Sequence, residues 1–224
     1  MRICILVLSI FLTSSLIVLG QGTGTEADKE AAYTRAINSR AEKIVNSLGI
    51  SDSLKAKHAT TLIAGHYRNL NIVYTERDDQ IKIARQKIES KELIEIELKS
   101  IENTANEKIA VLHKEFLSTL SATLSPEQVV KVKDGLTYNV LSVTYNAYVD
   151  MIPTLKNEEK EQMMKWLVEA REIAMDAESS EMKHWWFGKY KGRINNYLSA
   201  QGYNINEERE AWEKRKNVKQ PGTH

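Results

Sequence analysis

LTYNVLSVTYNAYVDMIP, Leu136 to Pro153, decides whether this chain is all helical or mixed. Its threonines, valines and tyrosines have strand propensity. Tyr138, Leu141, Tyr145, Tyr148 and Ile152 nevertheless recur every three or four residues, the period of a helix face. The spacing predicts a helix ended by Pro153, and the propensity leaves a strand open.

Working outward, the rest of the chain reads as helix. Just upstream, Ser125-Pro126-Glu127-Gln128 combines a capping serine, a proline at the first helical position and a glutamine that can reach back. That helix is expected to run to Asp134 and break at Gly135. Ala27 to Leu48 forms a first helix stopped at Gly49. Asp52 caps a long second helix with the seam Leu62, Tyr67, Leu70, Tyr74, Ile81, Ala84 and Ile88. Ser90 caps a third, with Ile94, Leu98, Ile101, Ala105, Ile109, Leu112 and Phe116 in register. The short break at Glu89 to Lys91 predicts a long antiparallel hairpin.

Downstream, Asn157 caps a helix through Asp176 that buries Met163, Trp166, Leu167, Ala170 and Ile173. Ser180 caps another that stops near Gly202, and a short helix covers Glu207 to Lys216. The fold class is all-α: a single-domain helical bundle over residues 22–217, followed by a disordered tail at 218–224.

Residues 1–21, MRICILVLSIFLTSSLIVLGQ, read as a signal peptide, with Arg2 ahead of an apolar run and small and polar residues at its end. The expectation is export to the periplasm or beyond, without a membrane anchor in the mature chain. The sole cysteine, Cys4, lies inside this segment, so the mature chain has no disulfide and no thiol chemistry. Removing residues 1–21 takes away Arg2 alone and leaves 30 basic against 30 acidic residues. A neutral chain lacks the net positive charge that nucleic-acid backbones demand, so no nucleic-acid partner is expected.

Motifs for chemistry are sparse. The five histidines form no i, i+4 pair, and neither a P-loop, a dinucleotide fingerprint nor a GxSxG elbow occurs. No metal, cofactor or catalytic residue is assigned. Glu169, Glu172 and Asp176 read as solvated or salt-bridged helix surface.

The richest segment is KHWWFGKYKGRINNYLSAQGY, Lys183 to Tyr203. Wrapped on a helix, Trp186, Phe187, Tyr190, Ile194, Tyr197 and Leu198 form an apolar stripe suited to a core. The opposite side carries Trp185, Gly188, Lys189, Gly192, Asn195, Asn196 and Ser199. Each glycine there costs about 1 kcal/mol relative to alanine, so the pair either admits a neighbouring backbone or clears space for a ligand. An indole face beside amide groups suits a sugar, and Lys189, Lys191 and Arg193 add attraction for acidic sugars or phosphates.

The run EAREIAMDAESSEMKHWWFGKYKGRINNYLSAQGY, Glu169 to Tyr203, resembles the signature end of the exported Bacteroidetes family called domain of unknown function 3826. LSPEQVVKVKDGLTYNVLSVTYNAYVDMIP and the HYRNLN stretch around Tyr67 and Arg68 resemble it too. The resemblance implies a sugar-binding role tied to polysaccharide utilisation and no established catalytic residue. By motif it adds Phe187, Tyr190, Tyr138 and Arg171 to the residues of interest. The expected ligand set is Trp185, Gly188, Lys189, Lys191, Gly192, Arg193, Asn195, Asn196, Tyr138 and Arg171.

The leading expectation is an exported carbohydrate-binding or glycan-utilisation accessory protein without catalysis, whose partner is an oligosaccharide or polysaccharide, including acidic ones. One alternative is a glycan-active hydrolase or lyase that uses Tyr138 with Lys189 or Arg193 as base and neutraliser. Another is a periplasmic helical chaperone or scaffold built on the charged hairpin.

Overall fold

A computed structural model describes residues 25–219. The chain order is α1 (Glu26–Asn46), α2 (Ser53–Lys87), α3 (Lys91–Thr123), α4 (Pro126–Leu136), α5 (Val140–Met151), α6 (Asn157–Ala174), α7 (Ser180–Ala200) and α8 (Ile205–Lys219). No strand occurs among the described residues, and Leu136 to Pro153 is helix from Val140 onward. The read signal peptide lies outside the described residues. Helix α8 runs on to Lys219, two residues into the stretch read as tail.

The caps act where their chemistry places them. Asp52 accepts from the N–H groups of Leu54 and Lys55, and Ser125 with Gln128 closes a reciprocal box. Gly49 and Gly202 take left-handed φ values of 68° and 97° just past α1 and α7. Two starts are one residue earlier than the sequence suggests: Ser179, not Ser180, caps α7, and Lys156, not Asn157, precedes α6.

Gly135 does not break α4. A Cβ there would stand 2.8 Å from Cγ1 of Ile44, so the glycine lies inside the helix and lets α1 close upon it. The break comes at Tyr138 and Asn139, both at φ 56°. Left-handed backbone at a non-glycine residue costs roughly 1–3 kcal/mol, and here it turns the chain between α4 and α5.

Helices α2 and α3 form the antiparallel hairpin. At 35 and 33 residues they extend roughly 50 Å at about 1.5 Å per residue. Its base packs with α1 and α4 around Ile37, Ile63, Leu120, Val132, Leu136 and Met175. A second core holds α5 to α8 together through Ile152, Met163, Leu167, Phe187, Ile194 and Leu198. Each such fully buried side chain contributes roughly 1.5–3 kcal/mol. Ile173, expected in the core, is exposed on α6. Helix α6 links the cores, because its C-terminal end delivers Met175 into the first while Leu167 and Ala170 fill the second.

Candidate functional site

A cavity of about 290 Å³ opens where α1, α2, the α4–α5 turn and the start of α7 converge. Helical spacing builds two of its walls. Tyr33 and Arg40 are seven residues apart on α1, and Tyr67, Asn71, Tyr74 and Asp78 follow one face of α2. Tyr138 comes from the left-handed turn, with its ring stacked at 5.7 Å on His184. Ser179, Ser180 and Lys183 close the remaining side.

Two of the four tyrosine hydroxyls are committed to backbone. Tyr33 donates to the Tyr67 carbonyl at 3.0 Å, and Tyr74 donates to the Asp176 carbonyl at 2.9 Å. Tyr67 and Tyr138 also line the cavity, and their hydroxyls have no hydrogen-bond partner among the described residues. Burial pushes the Tyr67 phenol up to about 12, and the neighbouring Tyr138 adds to the shift. Tyr67 therefore enters any neutral-pH chemistry as an O–H donor.

Lys183 is only 4% exposed. Its ammonium donates to the Met175 carbonyl at 2.7 Å and lies 5.8 Å from the Tyr67 ring centre. Among the described residues it forms no ion pair. Burial brings its amine down to about 8, Asp176 pulls in the opposite direction, and Arg40 reinforces the lowering. Arg40 likewise has no carboxylate partner among the described residues. The two acids on the cavity wall are differently placed, since Asp78 and Glu178 both bond Arg77. The cavity thus has two unspent cations and two spent carboxylates.

Beneath it lies a buried polar network. Asp176 is 6% exposed and bridges two histidines, with Oδ1 at 2.8 Å from His66 Nε2 and Oδ2 at 2.5 Å from His113 Nδ1. His66 stacks flat on Phe116 at 3.9 Å. Burial alone would raise the Asp176 carboxyl, but hydrogen bonds from His113 and His66 hold it below its ordinary value. The hydrogen bond to Asp176 likewise raises His113. The chain continues outward, with Glu172 bonding both Lys133 and Arg171, and Arg171 bonding Asp134. Asp176, read as solvated or salt-bridged helix surface, is paired but buried, and is the node that fixes the cavity floor. Its carbonyl holds Tyr74, and the preceding carbonyl holds Lys183.

The expected ligand residues fall into four places. Tyr138 lines this cavity. Arg171 does not: it is buried on α6, with its guanidinium turned to Asp134 and Glu172. Lys191 and Asn195 line a second cavity of about 520 Å³ between α5, α7 and α8, where Asn195 accepts from Tyr148. Trp185, Gly188, Lys189, Gly192, Arg193 and Asn196 lie on an exposed side of α7. Neither glycine has a neighbour within 4 Å of where a Cβ would stand, so among the described residues no helix covers this side and it forms no groove. Lys189 sits over Trp185 and Trp186, while Arg193 covers Trp166 and pairs with Glu169. Neither lines the cavity of Tyr138, so the pairing of Tyr138 with Lys189 or Arg193 is replaced by its proximity to Tyr67 and Lys183.

Lys183 and Arg40 are not singled out by the sequence because the residues that line the cavity with them come from other helices. Tyr74 reads from sequence only as seam, and Tyr67 as seam and part of the HYRNLN resemblance. The legible signal was the spacing Tyr67, Asn71, Tyr74, Asp78, polar atoms recurring on one helix face.

A family model described as protein of unknown function (DUF3826) matches residues 34–218. The chain belongs to that family. No curated protein matches it. The matched span includes every cavity-lining residue except Tyr33.

Proposed function

We propose that this DUF3826 member is an exported accessory protein that binds an acidic carbohydrate in the tyrosine-walled cavity. The observation that carries the reading is the pair of cations without carboxylate partners, Arg40 and Lys183, among four tyrosine rings. Aromatic rings offer flat apolar surface to the C–H face of a sugar. Tyr67 and Tyr138 hydroxyls, Asn71 and the two serines supply hydrogen-bonding groups for its hydroxyls. A guanidinium is a fork for a carboxylate, and such charge-assisted bonds are the stronger kind. Export rests on the reading of residues 1–21.

The test is calorimetric titration with matched acidic and neutral oligosaccharides. The acidic member is expected to bind and its neutral counterpart to bind at least about tenfold more weakly, the worth of one charge-assisted hydrogen bond. Equal affinity for the two, or no binding of either, counts against the proposal.

A further inference from the structure

We propose that Lys183 is an imine-forming amine whose substrates are small aldehydes or ketones carrying a carboxylate, such as the open-chain form of a reducing uronic acid. The proposal rests on the cavity being the ligand site and adds a covalent step to it. Three observations carry it. The amine is buried, faces the cavity and is held by a neutral carbonyl, not by a carboxylate that would keep it charged. Two phenolic O–H groups, Tyr67 and Tyr138, share the cavity with it. Arg40 lines the same cavity from α1, an unspent fork for the substrate carboxylate.

The chemistry balances without any further reagent. The ammonium releases one proton to solvent, which its depression to about 8 makes accessible near neutral pH. The nitrogen lone pair attacks the carbonyl carbon, and the carbonyl oxygen takes up a proton to give a carbinolamine. Tyrosine O–H groups are suited to polarise that oxygen and to assist its departure. The carbon–oxygen bond then breaks, and the oxygen leaves as water with the two hydrogens the neutral amine carried. A carbon–nitrogen double bond remains; nothing is oxidised or reduced, and addition of water reverses the step.

Incubation of the protein with glyoxylate and cyanoborohydride near pH 7.5, followed by peptide mapping, tests this directly. The hydride converts any imine into a stable secondary amine. Lys183 is expected to be labelled at least about tenfold faster than the surface lysines, as befits an amine with a larger neutral fraction. Arg40→Ala should slow labelling by glyoxylate at least several-fold more than labelling by uncharged glycolaldehyde, which loses only the smaller lift that Arg40 gives to the neutral amine fraction. Labelling confined to surface lysines, with Lys183 intact in the folded protein, overturns the proposal. A parallel titration with an acidic oligosaccharide reduced to the alditol, which cannot form an imine, separates the two claims. Binding of the alditol with an unlabelled Lys183 removes the covalent step alone, whereas failure of both removes the cavity as ligand site as well.

Discussion

Lys183 Nζ donates to the main-chain oxygen of Met175 across 2.7 Å, so a buried ammonium leans on a neutral carbonyl. The folded-state value of about 8 lies below the ordinary 10.5. Between those two values the unfolded chain binds more protons, so this group's contribution raises stability as pH rises through the window. Below it the burial cost is present in full. Lys183→Met is therefore expected to be more stable than the parent at pH 7 by about 2 kcal/mol, burial relief less one lost hydrogen bond. Urea unfolding at pH 7 and at pH 9.5 should show the gain shrinking at the higher pH. A variant less stable than the parent at pH 7 would show that Lys183 is a structural residue.

Asp176 should behave in the opposite way. It holds His66 and His113 through its side chain and Tyr74 through its carbonyl. Removing one member of a buried charged pair costs about 3–5 kcal/mol. Asp176→Ala is expected to lose stability of that order in chemical denaturation, and ligand binding with it, because the floor that carries Tyr74 and Lys183 loosens. A loss under about 1 kcal/mol, the scale of an exposed pair, would remove Asp176 from its place as the node.

The same pair sets a pH signature. His113 is raised by its hydrogen bond to Asp176, so its contribution is complete below pH 6.5 and is lost as pH rises through the raised folded value. Asp176 is lowered, so its contribution is complete above 3.8 and is lost as pH falls through its folded value. The urea midpoint is expected to decline as pH rises above 6.5 toward the raised His113 value. His113→Gln should flatten that decline, and an unchanged slope would contradict the assignment.

The glycines separate packing from open surface. Gly135→Ala drives a Cβ to 2.8 Å from Cγ1 and 3.1 Å from Cγ2 of buried Ile44 and should cost about 1–3 kcal/mol, a cost that should shrink in an Ile44→Ala background, which lacks both atoms. Gly188→Ala and Gly192→Ala meet nothing within 4 Å and should each stabilise α7 by up to about 1 kcal/mol. Thermal melts of the three variants check both signs. Loss of stability at Gly192 would mean that this side of α7 is covered.

The helical hairpin was legible because period and caps agreed. Ile101, Ala105 and Phe116 recur on one face, and Ser90 and Asp52 begin helices where their side chains can accept N–H bonds. Leu136 to Pro153 was legible as helix once spacing was ranked above propensity, since Leu141, Tyr148 and Ile152 are among the residues it buries, although Tyr138 is exposed and Tyr145 only partly buried. The turn at Tyr138 was not, because nothing local to a tyrosine announces φ 56°. The site was less legible than the fold. Its aromatic and basic residues are dispersed over α1, α2 and α7, and only the tertiary packing assembles them. The tryptophans and glycines that crowd one segment are conspicuous in sequence, and most of them stay on an exposed helix side in space.

The most direct measurement compares two single substitutions in one titration series. With an acidic oligosaccharide, Arg40→Ala should weaken binding by about tenfold or more, while Lys189→Ala, on the exposed side of α7, should leave it unchanged. Full affinity in Arg40→Ala together with a large loss in Lys189→Ala would move the site out of the cavity and onto α7.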